Sequence, residues 1–242
     1  MNAYRILIDG TERPDYSVEM TTVFLPRIVC DVCRAVRLEW DVYHPSLKCS
    51  AKTLDAISAA ENPACSWEQI EKLRKKIPRD DERLWDLPPG CQLGRQRILM
   101  DGPPDFPDFD LDLNCPLISE KALDILANNR ITVYSGEVEI LSFSSRKRLH
   151  GWRAVDFPNV RLMTENAIRK CRLIECKRCG EFREADPRAW RHHELIKDRW
   201  PRRLGVARLV ESGRRVASPE FIEVWKRHKL KGIRFERIGK WV

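Results

Sequence analysis

Cysteine spacing carries the clearest chemistry in this 242-residue chain. Of nine cysteines, four are paired as Cys30-Asp31-Val32-Cys33 and Cys176-Lys177-Arg178-Cys179. A two-residue gap lets the chain fold back so that both sulfurs of a pair meet one metal at ~2.3 Å. Backbone N–H groups in such a turn can point at the thiolates, and a following glycine supplies the left-handed conformation that completes it. Gly180 meets that demand. Arg34 stands where the first pair would want glycine, although its positive charge favours thiolate over thiol. Four cysteines would close a tetrahedral shell, whereas a catalytic zinc keeps a position for water and usually employs His or a carboxylate. The pattern therefore predicts a structural zinc held by Cys30, Cys33, Cys176 and Cys179. The alternatives are a site degraded to bare thiols and a redox pair. A redox pair should open a helix after a strand, and neither pair clearly does.

The separation of the pairs makes a demand on the fold. Between Cys33 and Cys176 lie 142 residues, far more than a compact zinc ribbon contains. Closing such a loop costs ~4–5 kcal/mol. Structural zinc contributes roughly 10–16 kcal/mol, enough to offset it. The intervening chain is also long enough to fold and bring the pairs together. Cys49, Cys65, Cys91, Cys115 and Cys171 are isolated and read as core filler, with Cys171 near enough to the second pair to serve as a substitute ligand. No His-x-x-x-His or His-Glu-x-x-His occurs. His192 and His193 are adjacent, diverge by about 100° on a helix, and read as surface residues. His44, His150 and His228 are isolated and default to structural roles.

The positioning elements are legible in part. Tyr4, Ile6 and Ile8 alternate and stop at Asp9-Gly10, as an opening strand would. Thr22-Val23-Phe24-Leu25-Pro26 leads into the first pair. Ser66-Trp67-Glu68-Gln69 is a capping box for a helix that Pro78 stops. Residues 101–112, rich in Pro and Asp, cannot be a regular helix and read as a surface segment, either ordinary loop or acidic-ligand mimic. A cap–helix–turn–strand pattern beginning at Ser119 recurs ninety-nine residues later at Ser218-Pro219, pairing Ala122 with Phe221, Ile125 with Val224 and Ile131 with Leu230. Helix–strand units are common, so the pair supports an α+β fold without proving duplication. Val138, Ile140 and Phe143 suggest a further strand.

Composition bounds the class. Apolar residues at 43% and charged residues at 33% fit neither a disordered chain nor a membrane protein. No stretch approaches the roughly 20 apolar residues of a bilayer span. The N-terminal residues lack a secretory pattern, so a cytoplasmic protein is expected. An odd cysteine count then argues against a disulfide framework. Charge is uneven: residues 1–121 carry 16 Lys+Arg against 21 Asp+Glu, and residues 122–242 carry 28 against 15. The basic half, with Trp190 and Trp200 interleaved among arginines at 188–215, raises nucleic-acid binding; buried anchors are the other reading of both indoles. No nucleophile–base pair, phosphate loop or open metal site supports catalysis.

Several further residues carry a family likeness: Tyr4-Arg5-Ile6, Leu25-Pro26 running into Cys30-x-x-Cys33, Tyr43-His44-Pro45-Ser46, Leu87-Pro88-Pro89-Gly90, and Leu117-Ile118-Ser119-Glu120-Lys121-Ala122. To these add Cys176-Lys177-Arg178-Cys179-Gly180 and the ending Ser218…Phe221-Ile222…Leu230-Lys231-Gly232-Ile233-Arg234-Phe235. Together they make the chain resemble the double-CXXCG motif family, bacterial proteins that include immunity proteins against toxins passed between neighbouring cells. Arg34 departs from the first signature, and the basic net charge of +8 departs from what an inhibitor of a nuclease toxin tends to carry.

The combined expectation is an α+β protein with a zinc-ribbon-like clasp, read as a single module over 1–242. Its knuckle region is 22–50 plus 170–186, its intervening α+β lobe 51–160, and its basic helical segment and final helix–strand unit 187–242. The resemblance implies a non-enzymatic protein that binds and neutralises a cognate toxin, with no membrane partner. A nucleic-acid-binding zinc protein and a thiol oxidoreductase are the alternatives.

Overall fold

Residues Tyr4, Ile6 and Ile8 do lie in a strand, which spans Asn2–Ile8 in a computed structural model. The structure describes residues 1–9, 16–19, 23–34, 36–37, 43–44, 50–59, 65–77, 89–93, 97–100, 107–111, 116–142, 145–180, 182–184 and 193–242. Cys49, Cys115, Phe143, Trp190, His192, all of 101–106 and residue 112 therefore lie outside the described residues, as does Pro78. Among the described residues five helices accompany many short strands, so the fold is α+β: α1 (Ala51–Ser58), α2 (Trp67–Arg74), α3 (Glu120–Asn128), α4 (Glu165–Lys170) and α5 (Pro219–Arg227). None is long and apolar enough to cross a membrane.

The chain divides into two units. The first comprises Met1–Gly10, Lys121–Val133 and Phe157–Val242. Its six-stranded sheet runs, in order, Asn159–Val160, Val206–Leu209, Arg215–Ala217, Asn2–Ile8, Ile233–Trp241 and His193–Leu195. The inner pairings are antiparallel and both edge strands pair parallel. Ala3 and Ile6, of opposite parity, are the buried residues of the opening strand. A bulge between Ala3 and Tyr4, opposite the extra residue Ile238, breaks the simple alternation that the sequence suggested.

Helix α5 shows why the final segment reads so plainly. The Ser218 hydroxyl accepts from the Phe221 N–H at 3.0 Å, and Pro219 takes the first helical position. Phe221, Ile222, Val224 and Trp225 are buried, with the Phe221 ring stacked on Trp225 and edge-on to Phe235. His228 is exposed at the helix end. The ninety-nine-residue pairing extends to how the two helices stop. The Ile131 N–H donates to the Leu126 carbonyl and the Leu230 N–H to that of Trp225. Arg130 and Lys229, the residues just before, are both left-handed, at φ 61° and 52°. Both ends are therefore Schellman caps with a cation where glycine is usual. After α3, however, only Thr132 forms an isolated bridge, to Leu204, rather than a strand.

Two carboxylates tie this sheet together and set an acid response. Arg5 donates to Glu236 directly across the strands, at 2.9 and 2.6 Å. Glu194 accepts from Asn166 at 3.2 Å and lies 3.3 Å from Lys240. The Arg5 hydrogen bond holds the Glu236 carboxyl below its ordinary range, and those from Asn166 and then Lys240 do the same for Glu194. Depressed folded pKa values give stability that is present above the ordinary carboxylate range, about 4.3, and lost as pH falls through the lower folded values. Acidification below that range should lower the melting temperature, and Glu236→Gln should flatten the slope. An unchanged slope in the variant would count against the pair.

The second unit comprises Thr11–Glu120 and Tyr134–Asp156. Its core gathers Ile98, Leu117, Val138, Ile140 and Ala154, with Leu149 and Trp152 packed against them. The Arg97–Met100 strand lies between Tyr16–Glu19 and Glu139–Ser142, and Leu117–Ser119 lies between Trp152–Val155 and Phe109–Asp110. The Ser66/Gln69 capping box is complete, with Ser66 accepting from Gln69 N–H and Gln69 accepting from Ser66 N–H. One expectation fails here. Residues 107–111 are not a surface segment: Phe109 and Asp110 are fully buried, Leu111 nearly so, and Phe109–Asp110 is a paired strand. The aspartates hid an alternating apolar set, Pro107, Phe109 and Leu111, that fills a core.

Candidate metal centre

Each cysteine pair sits in the turn of a β-hairpin. The first hairpin pairs Ile28–Val29 with Val36–Arg37. The second pairs Leu173–Glu175 with Phe182–Glu184. Antiparallel strands on either side oblige the chain to reverse in the six positions between them, 30–35 and 176–181, and the sulfurs of each pair fall inside that reversal.

The two turns are closely alike. In both, the first cysteine is buried, the next two residues are exposed and the second cysteine is half-buried. The Arg34 N–H donates to the Cys30 carbonyl at 2.8 Å, and the Gly180 N–H to the Cys176 carbonyl at 2.7 Å. The Cys33 N–H also points at the Cys30 sulfur, at 3.5 Å. Arg34 reaches φ 58° and Gly180 φ 70°, so arginine adopts the conformation the sequence reading reserved for glycine. A β-carbon in that region costs about 1–2 kcal/mol. Arg34→Gly should relieve it and raise stability by about 0.5–1 kcal/mol after the greater freedom of glycine in the unfolded chain is counted. A melting temperature about 1–4 °C higher, with metal content unchanged, is the expected readout; a lower one would mean that the arginine side chain itself holds the turn.

The sulfurs of Cys30, Cys33, Cys176 and Cys179 all lie within 4.8 Å of one another. Tetrahedral zinc with ~2.3 Å bonds would set sulfurs about 3.8 Å apart, a separation compatible with that limit. The donor set fits a soft or borderline ion such as zinc, and four thiolates would fill its shell. The same four residues singled out by spacing are therefore gathered in space, across 142 intervening positions.

The remaining candidates fall elsewhere. Cys171 caps the end of α4, is buried, and is not part of the group of four. Cys91 is fully buried, as filler should be. Cys65 is half-buried, and burial pushes its thiol pKa up, away from reactivity. His193 corrects the surface reading, since it is fully buried in an edge strand rather than on a helix. Trp200 is half-buried and follows a single 3-10 turn rather than lying on a helix: its indole N–H donates to the Leu204 carbonyl at 2.7 Å and it meets Trp241 edge-on at 5.3 Å.

Sequence reasoning missed the brace of the second hairpin. Arg161 donates to Glu175 at 2.8 Å, and its guanidinium lies 5.6 Å from the centre of the Phe182 ring. The alternation of Leu173 and Glu175 opposite Phe182 and Glu184 was the available signal, too short to stand out from helix α4 beside it. Compared with known proteins, the chain matches no protein-family model, no curated protein and no solved structure.

Proposed function

We propose that this chain is a binding protein that neutralises a cognate bacterial toxin by direct protein–protein contact, its fold held by one structural zinc on Cys30, Cys33, Cys176 and Cys179. The observation that carries the metal half of the reading is the approach of all four sulfurs to within 4.8 Å of one another. A filled tetrathiolate shell has no vacancy for water or substrate, so zinc there supplies rigidity and no hydrolysis. The same shell would withdraw all four thiolates from disulfide exchange, which disfavours the oxidoreductase reading. The toxin half rests on the likeness to the double-CXXCG motif family. The burial of Phe109, Asp110 and Leu111 bears on how a toxin would be met, because that part of the acidic segment is closed to any partner.

Two measurements test the two halves separately. Purified protein should carry one equivalent of zinc per chain by elemental analysis. Co-expression with the toxin encoded beside this chain should rescue growth, and the pair should co-purify. Undiminished killing would overturn the immunity role and leave the metal centre standing.

A further inference from the structure

The first unit holds a cavity of about 300 Å³. Its wall carries four cations, Arg130, Lys197, Arg202 and Arg203, against a single carboxylate, Glu220. Among the described residues no carboxylate comes within ion-pair range of any of the four. Like charges gathered in a concavity raise the local potential, and an anion is what relieves it. The other element of the wall is aromatic, the indoles of Trp200 and Trp241. Trp241 is only 6% exposed, and its indole N–H has no acceptor among the described residues.

The frame of this cavity is fixed by its backbone. The Thr132 N–H donates to the Arg203 carbonyl at 2.7 Å, and the Gly205 N–H to that of Thr132 at 2.8 Å. Trp200 is pinned through its bond to Leu204 and its contact with Trp241. Arg130 and Arg203 both occupy left-handed backbone, at φ 61° and 66°. Glycine would fit both positions with less strain, as it would at Arg34, Arg146, Arg172 and Lys229.

We propose that this cavity binds a phosphate monoester joined to a flat aromatic ring, the chemistry of a nucleoside monophosphate, either free or as the phosphorylated end of a nucleic-acid strand. Guanidinium forks match phosphate oxygens two at a time. An indole offers a ring a stacking face regardless of base identity. A volume near the lower end of small-molecule sites suits one nucleotide rather than an extended segment of a protein partner. The inference is independent of the toxin reading.

Isothermal titration of the full zinc-loaded chain decides it. The probes are adenosine monophosphate, adenosine, inorganic phosphate, a short single-stranded oligonucleotide with and without a 5′-phosphate, and the tripeptide Asp-Phe-Glu. Adenosine monophosphate should bind, with adenosine and phosphate each at least about tenfold weaker, since each keeps only half of the contacts. Arg130→Gly and Arg203→Gly should each weaken binding about tenfold while leaving the melting temperature undiminished, because glycine suits the backbone there. A 5′-phosphorylated strand binding as well as the mononucleotide would identify strand ends as the source, and binding of the mononucleotide alone would identify the free nucleotide. The proposal is overturned by no binding of either phosphorylated probe at about 1 mM. It is equally overturned by unchanged affinity in the Arg130→Gly/Arg203→Gly double variant. Tighter binding of Asp-Phe-Glu than of adenosine monophosphate would reassign the cavity to an acidic protein segment.

Discussion

Cys176→Ser should purify with far less than one equivalent of zinc and melt about 10 °C or more below the parent. Cys176 is the buried first cysteine of its turn, and its sulfur belongs to the group of four within 4.8 Å. Replacing thiolate by hydroxyl leaves three soft donors, and zinc bound at a closed structural site depends on the complete set. The metal's share of folding free energy is roughly 10–16 kcal/mol, comparable with the whole stability of an ordinary domain. Even if most of that is recovered by a three-sulfur site, a loss of about 4 kcal/mol remains, near the closure cost of the loop between the pairs. At about 2–4 °C per kcal/mol for a chain of this size, that gives the expected shift. Cys171→Ser and Cys65→Ser are the controls. Both lie outside the group of four, so both should keep their zinc whatever they do to stability. A Cys176→Ser protein with a full equivalent of zinc, or a Cys171→Ser protein without it, would dissolve the assignment.

The four clustered cysteines were legible because their chemistry is local. A Cys-x-x-Cys spacing marks a chain reversal within a few residues, and Gly180 announces the conformation that follows. What spacing left open was whether the two turns meet, since 142 residues can bring them together or keep them apart. Helices α2 and α5 were equally readable, because a capping box and a Ser-Pro start satisfy backbone donors within one turn of chain. The hairpins carrying the cysteines were not, because strands two or three residues long show no periodicity and owe their pairing to a partner. Phe109 and Leu111 were missed for a related reason. Interleaved aspartates lower the average hydrophobicity below that of a buried strand, although Asp110 is itself fully buried. The nucleotide-sized cavity assembles from positions 129–131, 197–204, 218–220 and 241, so no window of sequence contains it.

Gly239→Ala should cost about 3 kcal/mol or more, although one methyl group is the whole change. Gly239 stands opposite Ala3 at the bulge and beside His193 in the parallel edge pairing. A β-carbon built there falls 1.8 Å from the His193 carbonyl oxygen and 2.6 Å from its carbonyl carbon. These are backbone atoms, so no rotamer change removes the overlap, and the His193–Leu195 strand must withdraw from Ile233–Trp241. Withdrawal would also pull Glu194 from Lys240 and expose His193, whose ring is fully buried. Gly205 offers a useful contrast. A β-carbon there meets side chains, Ile131 at 2.7 Å and Phe221 at 2.9 Å, which have some freedom to shift. Its alanine variant should therefore be the milder of the two. Hydrogen exchange separates the mechanisms: in Gly239→Ala the amides of 193–195 should lose protection while those of 215–217, on the far side of the opening strand, keep theirs. A Gly239→Ala protein that melts within about 2 °C of the parent, with 193–195 still protected, would mean that the edge strand does not lie against Gly239 in solution.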